Sequence, residues 1–86
     1  MEYDNIISLA KKSNYKKIMI IKKGWANGAW CIVNKVIINP DEKYGKAFGH
    51  IHYANGNEKR TNISGAGTYN WKIIKVFDED MEVKRI

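Results

Sequence analysis

A chain of 86 residues suffices for one domain over residues 1–86, and it removes only about 60% of its unfolded surface from water on folding, so its core is thin. Fifteen Lys and Arg against nine Asp and Glu give a net charge of +6, a field that attracts phosphates, while a single cysteine, Cys31, excludes an internal disulfide and a cysteine-based zinc site. No apolar run approaches the roughly 20 residues that cross a bilayer, and Met1-Glu2-Tyr3-Asp4 lacks the order of a secretion signal, so the chain reads as soluble, cytoplasmic and without a membrane partner.

In chain order, Asp4 is placed to cap a short helix over about 4–12, with Ile6, Leu9 and Ala10 on one face, and Ser13-Asn14 ends it. From there to residue 86 the pattern is that of a sheet. Lys16 to Lys22 carries four apolar residues, Ile18 to Ile21, between lysines and reads as a buried strand. After Gly24, Ala29 to Ile38 reads as a long strand, Trp30, Ile32, Val36 and Ile38 on one face and Cys31, Val33 and Ile37 on the other. Asn39-Pro40-Asp41-Glu42 is a turn.

Lys46 to Ala54 and Asn57 to Ser64 flank Asn55-Gly56, the preferred pair for a two-residue hairpin turn with both central residues at positive φ. That turn sets a register in which His52 meets Lys59, His50 meets Thr61 and Phe48 meets Ile63, with Tyr53 opposite Glu58 and Ile51 opposite Arg60. Gly65-Ala66-Gly67 is a flexible break before a fifth strand, Tyr69 to Phe77, followed by a charged turn, Asp78-Glu79-Asp80. Met81 to Ile86 adds a short edge strand. The expected fold is mainly β, of α+β type: a short N-terminal helix packed on a strongly bent five- or six-stranded antiparallel sheet, close to a small SH3-like or OB-like barrel.

Little in the chain has the spacing of a catalytic centre. His50 and His52 point the same way on a strand and could grip a metal together, but no third ligand stands at a metal spacing, so neither a metal nor a cofactor is expected. No nucleophile elbow or paired carboxylate accompanies them, and the chain reads as a non-enzyme. The two imidazoles are either donors to a phosphate or ordinary strand histidines. Gly65-Ala66-Gly67 lacks the later glycine and the following helix of a nucleotide fingerprint, and Cys31, amid an apolar strand, reads as a small core residue. Trp25 lies in the glycine-bracketed Gly24-Trp25-Ala26-Asn27-Gly28, where its indole either stacks on a base or folds back onto the core.

The order of elements is also similar to that of a known family. A short helix, a basic strand, Gly24-Trp25 with Gly28, an apolar strand, Gly49-His50-Ile51 and then Asn70-Trp71-Lys72-Ile73 resembles the second type of Thoeris anti-defence protein from phages, a likeness of layout over about residues 4 to 75. Asn70 stands where the family has aspartate, and the chain runs about 15 residues further. The resemblance implies a viral, non-catalytic sponge that assembles into oligomers and holds cyclic nucleotide signals in pockets between subunits.

A nucleotide wants an aromatic face for its base, amides for its edges and cationic or hydroxyl donors for its phosphates. Trp25, Asn27, His50, His52, Tyr53, Lys59, Arg60, Thr61 and Asn62 supply these types and form the expected ligand-binding set. Two other partners stay open: nucleic acid, which the +6 charge and the lysine-rich front favour, and a host protein inhibited or adapted through the aromatic turn. The bland alternative is a solvated surface, since the set also consists of ordinary surface residue types.

Overall fold

The computed structural model describes residues 2–25, 28–41, 45–63 and 65–86; of the sequence expectations, the ends of a turn and a strand at Glu42 and Ser64 lie outside these. Among the described residues one helix and six strands follow one another: α1 (Ile6–Lys12), β1 (Lys16–Lys22), β2 (Trp30–Ile38), β3 (Gly45–His52), β4 (Glu58–Ile63), β5 (Trp71–Asp80) and β6 (Glu82–Arg85).

The helix begins one residue later than the cap expected at Asp4. Asp4 and Trp71 exchange both backbone hydrogen bonds, at 2.7 and 3.0 Å, which holds Asp4 in an extended bridge and leaves capping to Asn5, whose Oδ1 accepts from the Ser8 amide at 2.7 Å. Asp4 instead takes Lys12 Nζ on its Oδ2 at 2.8 Å, and this hydrogen bond, ahead of a smaller opposing effect of burial, lowers its pKa. At the far end the Tyr15 amide donates to the Ala10 carbonyl (2.8 Å) and the Asn14 amide to that of Lys11 (3.0 Å), the paired bonds of a Schellman cap. Asn14 and Tyr15 adopt left-handed φ of 58° and 57° there. Ile6, Ile7, Leu9 and Ala10 are buried against the sheet.

The sheet is mainly antiparallel, strongly bent, and ordered β4-β3-β2-β1-β5. Among the described residues no pairing joins its two ends, β4 and β5. β2 is the pivot. Its first half, Cys31 to Val33, pairs with β1, and its second half, Lys35 to Ile38, pairs with β6, which takes over the edge that β1 leaves. The β2–β6 pairing is parallel, a departure from the all-antiparallel expectation that no local pattern in Met81 to Ile86 announces.

Between the two halves the β2–β3 register shifts, leaving Asn34 as an extra, exposed residue. A bulge reverses which parity of residue faces inward. Cys31 and Val33 before it and Val36 and Ile38 after it are therefore all buried, and the expected grouping of Trp30 and Ile32 with Val36 and Ile38 is corrected. Gly49 is the partner of Val33 beside the bulge, and a Cβ built there would fall 1.8 Å from the Ile32 carbonyl oxygen, so only glycine fits this approach of β2 and β3.

The β3–β4 hairpin is also one residue out of the expected register. Tyr53 donates to the Asn57 carbonyl and accepts from the Gly56 amide, each at 2.9 Å, closing a three-residue loop in which only Gly56 (φ 88°) is left-handed. Asn55 stays out of the positive-φ region and its Oδ1 accepts from the Asn57 amide at 3.1 Å. The extra loop residue places His52 opposite Glu58, His50 opposite Arg60 and Phe48 opposite Asn62.

Gly65-Ala66-Gly67, expected as a flexible break, is tied down: the Gly65 carbonyl accepts from Trp71 Nε1 (3.0 Å) and from Thr68, and that of Ala66 accepts from the Ile6 amide (2.9 Å). Asp78-Glu79-Asp80, expected as a turn, continues β5, because Lys16 and Lys17 across the ladder meet Asp80 at 2.8 Å and Glu79 at 3.5 Å. The core joins the helix residues to Ile18, Ile20, Cys31, Val33, Ile63, Trp71 and Ile73. Burial there pushes the Cys31 thiol up to about 12, against a weaker opposing pull from Lys22. No helix is long and apolar enough to cross a membrane among the described residues.

Candidate functional site

The β3–β4 hairpin and the β2 bulge build one cleft of about 330 Å³. Residues in register share a face, so the pairs His50–Arg60 and Phe48–Asn62 set an imidazole, a guanidinium, an aromatic ring and a carboxamide side by side. Thr61 and Gly49 complete the hairpin wall, and Asn34, displaced from the ladder by the bulge, closes the cleft from β2. The cleft thus offers a cation, an imidazole, amides and an aromatic face to a small anion with a planar group.

Four of the nine expected residues meet there: His50, Arg60, Thr61 and Asn62. The others lie apart. Trp25 and Tyr53 line a second, more apolar pocket of about 320 Å³ with Gly24 and Ala29. Trp25 is half-buried, its ring edge-on to Trp71 with centroids 5.4 Å apart, so the indole folds against the core while one side remains on the pocket. His52 stacks on Trp30, centroids 4.4 Å apart and planes 17° from parallel, and its Nδ1 is buried with no hydrogen-bond partner. Lys59 is exposed opposite Ile51, and Asn27 lies outside the described residues.

Asn34 and Phe48 are cleft residues that the expected set omits. Asn34 reads as one polar residue in an apolar strand, and only the bulge gives it a role. Phe48 is expected opposite Ile63; the three-residue turn moves it opposite Asn62. Cys31 is buried and away from the cleft lining. Among the described residues no three His, Cys, Asp or Glu side chains gather where they could hold a metal.

The sequence matches no protein-family model, and no curated protein is similar enough to count as a relative.

Proposed function

We propose that this chain is a non-enzymatic, cytoplasmic binding protein that sequesters a phosphorylated small molecule, of the cyclic nucleotide class, in the cleft between β3 and β4. The observation that carries the reading is the direct pairing of His50 with Arg60 beside Asn62 and Phe48 in a cleft of about 330 Å³. Arg60 supplies a planar fork of donors to a phosphate, His50 adds a ring N–H, Asn34 and Asn62 read the edges of a base, and Phe48 offers it an apolar face. Thr61, in register with the buried Gly49, lines the cleft from between Arg60 and Asn62.

The resemblance in layout to the phage anti-defence family adds the biological setting, sequestration of a signal, and adds assembly into a homo-oligomer. A second copy would cover a cleft that one copy leaves open to water. The test is native mass spectrometry of the protein freshly isolated from bacteria, compared with the denatured chain. A mass excess that fits a nucleotide, on an assembly of two or more copies, supports the reading. An unliganded monomer that also fails to bind added ADP-ribose overturns it.

A further inference from the structure

The outward face of the sheet is not the polar surface that a one-sided antiparallel sheet usually presents to water. One row of registered residues crosses all five strands of the path: Lys75 of β5 opposite Met19 of β1, Met19 opposite Ile32 of β2, Ile32 opposite His50 of β3, and His50 opposite Arg60 of β4. The row spans four strand spacings, about 19 Å, with a cation at each end and the half-buried side chains of Met19, Ile32 and His50 between.

The flanking rows repeat this composition. On one side Lys72 stands opposite Ile21, and Trp30 is stacked on His52. On the other, Lys35 lies over the Phe48 ring at 5.6 Å. At the β5 margin, Lys17 and Lys75 sit 5.3 and 4.8 Å from the centre of the Phe77 ring, and Lys23 and Lys72 sit 5.8 and 5.9 Å from that of Tyr3. The acids nearby are Glu79 against Lys17, Glu82 against Lys35, and Glu58 opposite His52. Lysines thus gather at the β5 margin, and the centre of the face is apolar and aromatic.

We infer that this face binds single-stranded nucleic acid across the strands, its bases on the Trp30, Phe48 and Ile32 floor and its phosphates on the lysines of β1 and β5 and on Arg60. A floor of rings and apolar side chains with cations along its margins suits a polymer that exposes both base faces and phosphates, and stacking on such a floor tolerates any base sequence. Duplex nucleic acid fits poorly, because its bases are stacked away and α1, seven residues long and the only helix among the described residues, is packed on the opposite, core side. The inference goes beyond the cleft reading and does not depend on it: the cleft is one end of the face, whereas Lys72 and Lys75 lie at the other.

The experiment is fluorescence anisotropy with a labelled oligouridine of about 12 nucleotides, the same sequence as a duplex, and polyglutamate as competitor, over a series of salt concentrations. Wild type should bind the single strand. The double variant Lys72→Ala/Lys75→Ala should bind it at least ten-fold more weakly, with a salt slope shallower by about 1.4 for two lost phosphate contacts. Its melting temperature and its affinity for ADP-ribose should stay unchanged, and Lys23→Ala should weaken the oligonucleotide in the same direction. No binding at low salt, equal affinity for the duplex, equal competition by polyglutamate, or variants that bind like wild type would each overturn the inference. Loss of ADP-ribose binding with oligonucleotide binding retained removes the cleft reading and leaves this one standing.

Discussion

Replacing Gly49 by alanine adds one methyl group where the Ile32 carbonyl of β2 lies against the backbone of β3. The new Cβ would stand 1.8 Å from the Ile32 carbonyl oxygen, 2.9 Å from its carbon and 3.2 Å from Val33 Cα, where ordinary contact begins near 3.4 Å. All three neighbours are backbone, so no side chain can swing aside; the strands must part by more than an ångström beside the Asn34 bulge. Overpacking of a core usually costs up to about 3 kcal/mol, and a clash with backbone belongs at or above that end. For a domain of this size such a loss lowers the melting temperature by about 12–24 °C. Thermal unfolding followed by circular dichroism measures it, with Gly67→Ala as the control, since a Cβ there meets nothing within 4 Å. Gly67→Ala should melt within about 4 °C of wild type. A Gly49→Ala protein that also melts within about 4 °C would refute the close approach of β2 and β3.

Removing the helix cap by Asn5→Ala should cost about 1 kcal/mol in denaturant unfolding, whereas Asp4→Asn, which weakens an ion pair whose Lys12 end is exposed, should cost less; the reverse order would return the cap to Asp4. Cys31 should resist thiol reagents at pH 8 until the protein unfolds, and modification at the rate of a free thiol would contradict its burial. Its linkage to pH has a definite sign: above about pH 9 the unfolded chain releases the thiol proton and the folded chain, with its value raised to about 12, keeps it, so this group's contribution to stability falls as pH rises through that window. Trp25→Ala should lose an edge-to-face contact worth about 1 kcal/mol, read as a lower melting temperature; an unchanged melt would place the indole outside the core.

Much of the fold was legible in the sequence because periodicity and punctuation report local geometry. β1 falls on the expected residues, Lys16 to Lys22, and β2 to β4 within two residues at each end the structure describes. Two one-residue insertions were not legible, and both change the site. The Asn34 bulge follows from how β2 must bend to meet β1 on one half and β6 on the other, a tertiary demand with no local sign. The hairpin turn is ambiguous in the sequence because Asn55-Gly56 also suits a three-residue loop with glycine alone left-handed, and Asn55 there serves as an acceptor for Asn57. Each shift moves side chains by one position across a sheet whose faces alternate. Arg60 thereby comes opposite His50 in place of Thr61, and Asn62 opposite Phe48 in place of Ile63. Residue types suitable for an anion were visible; which of them share a wall was decided by two residues of register.

Isothermal titration with ADP-ribose as the probe, on wild type and on Arg60→Ala, tests the central claim most directly. A charge-assisted, two-pronged contact to phosphate is worth about 1.5–3 kcal/mol, so the cleft reading predicts binding to wild type and at least a ten-fold loss in Arg60→Ala at an unchanged melting temperature. Binding that Arg60→Ala leaves intact, or no binding to wild type at millimolar ADP-ribose, would contradict it.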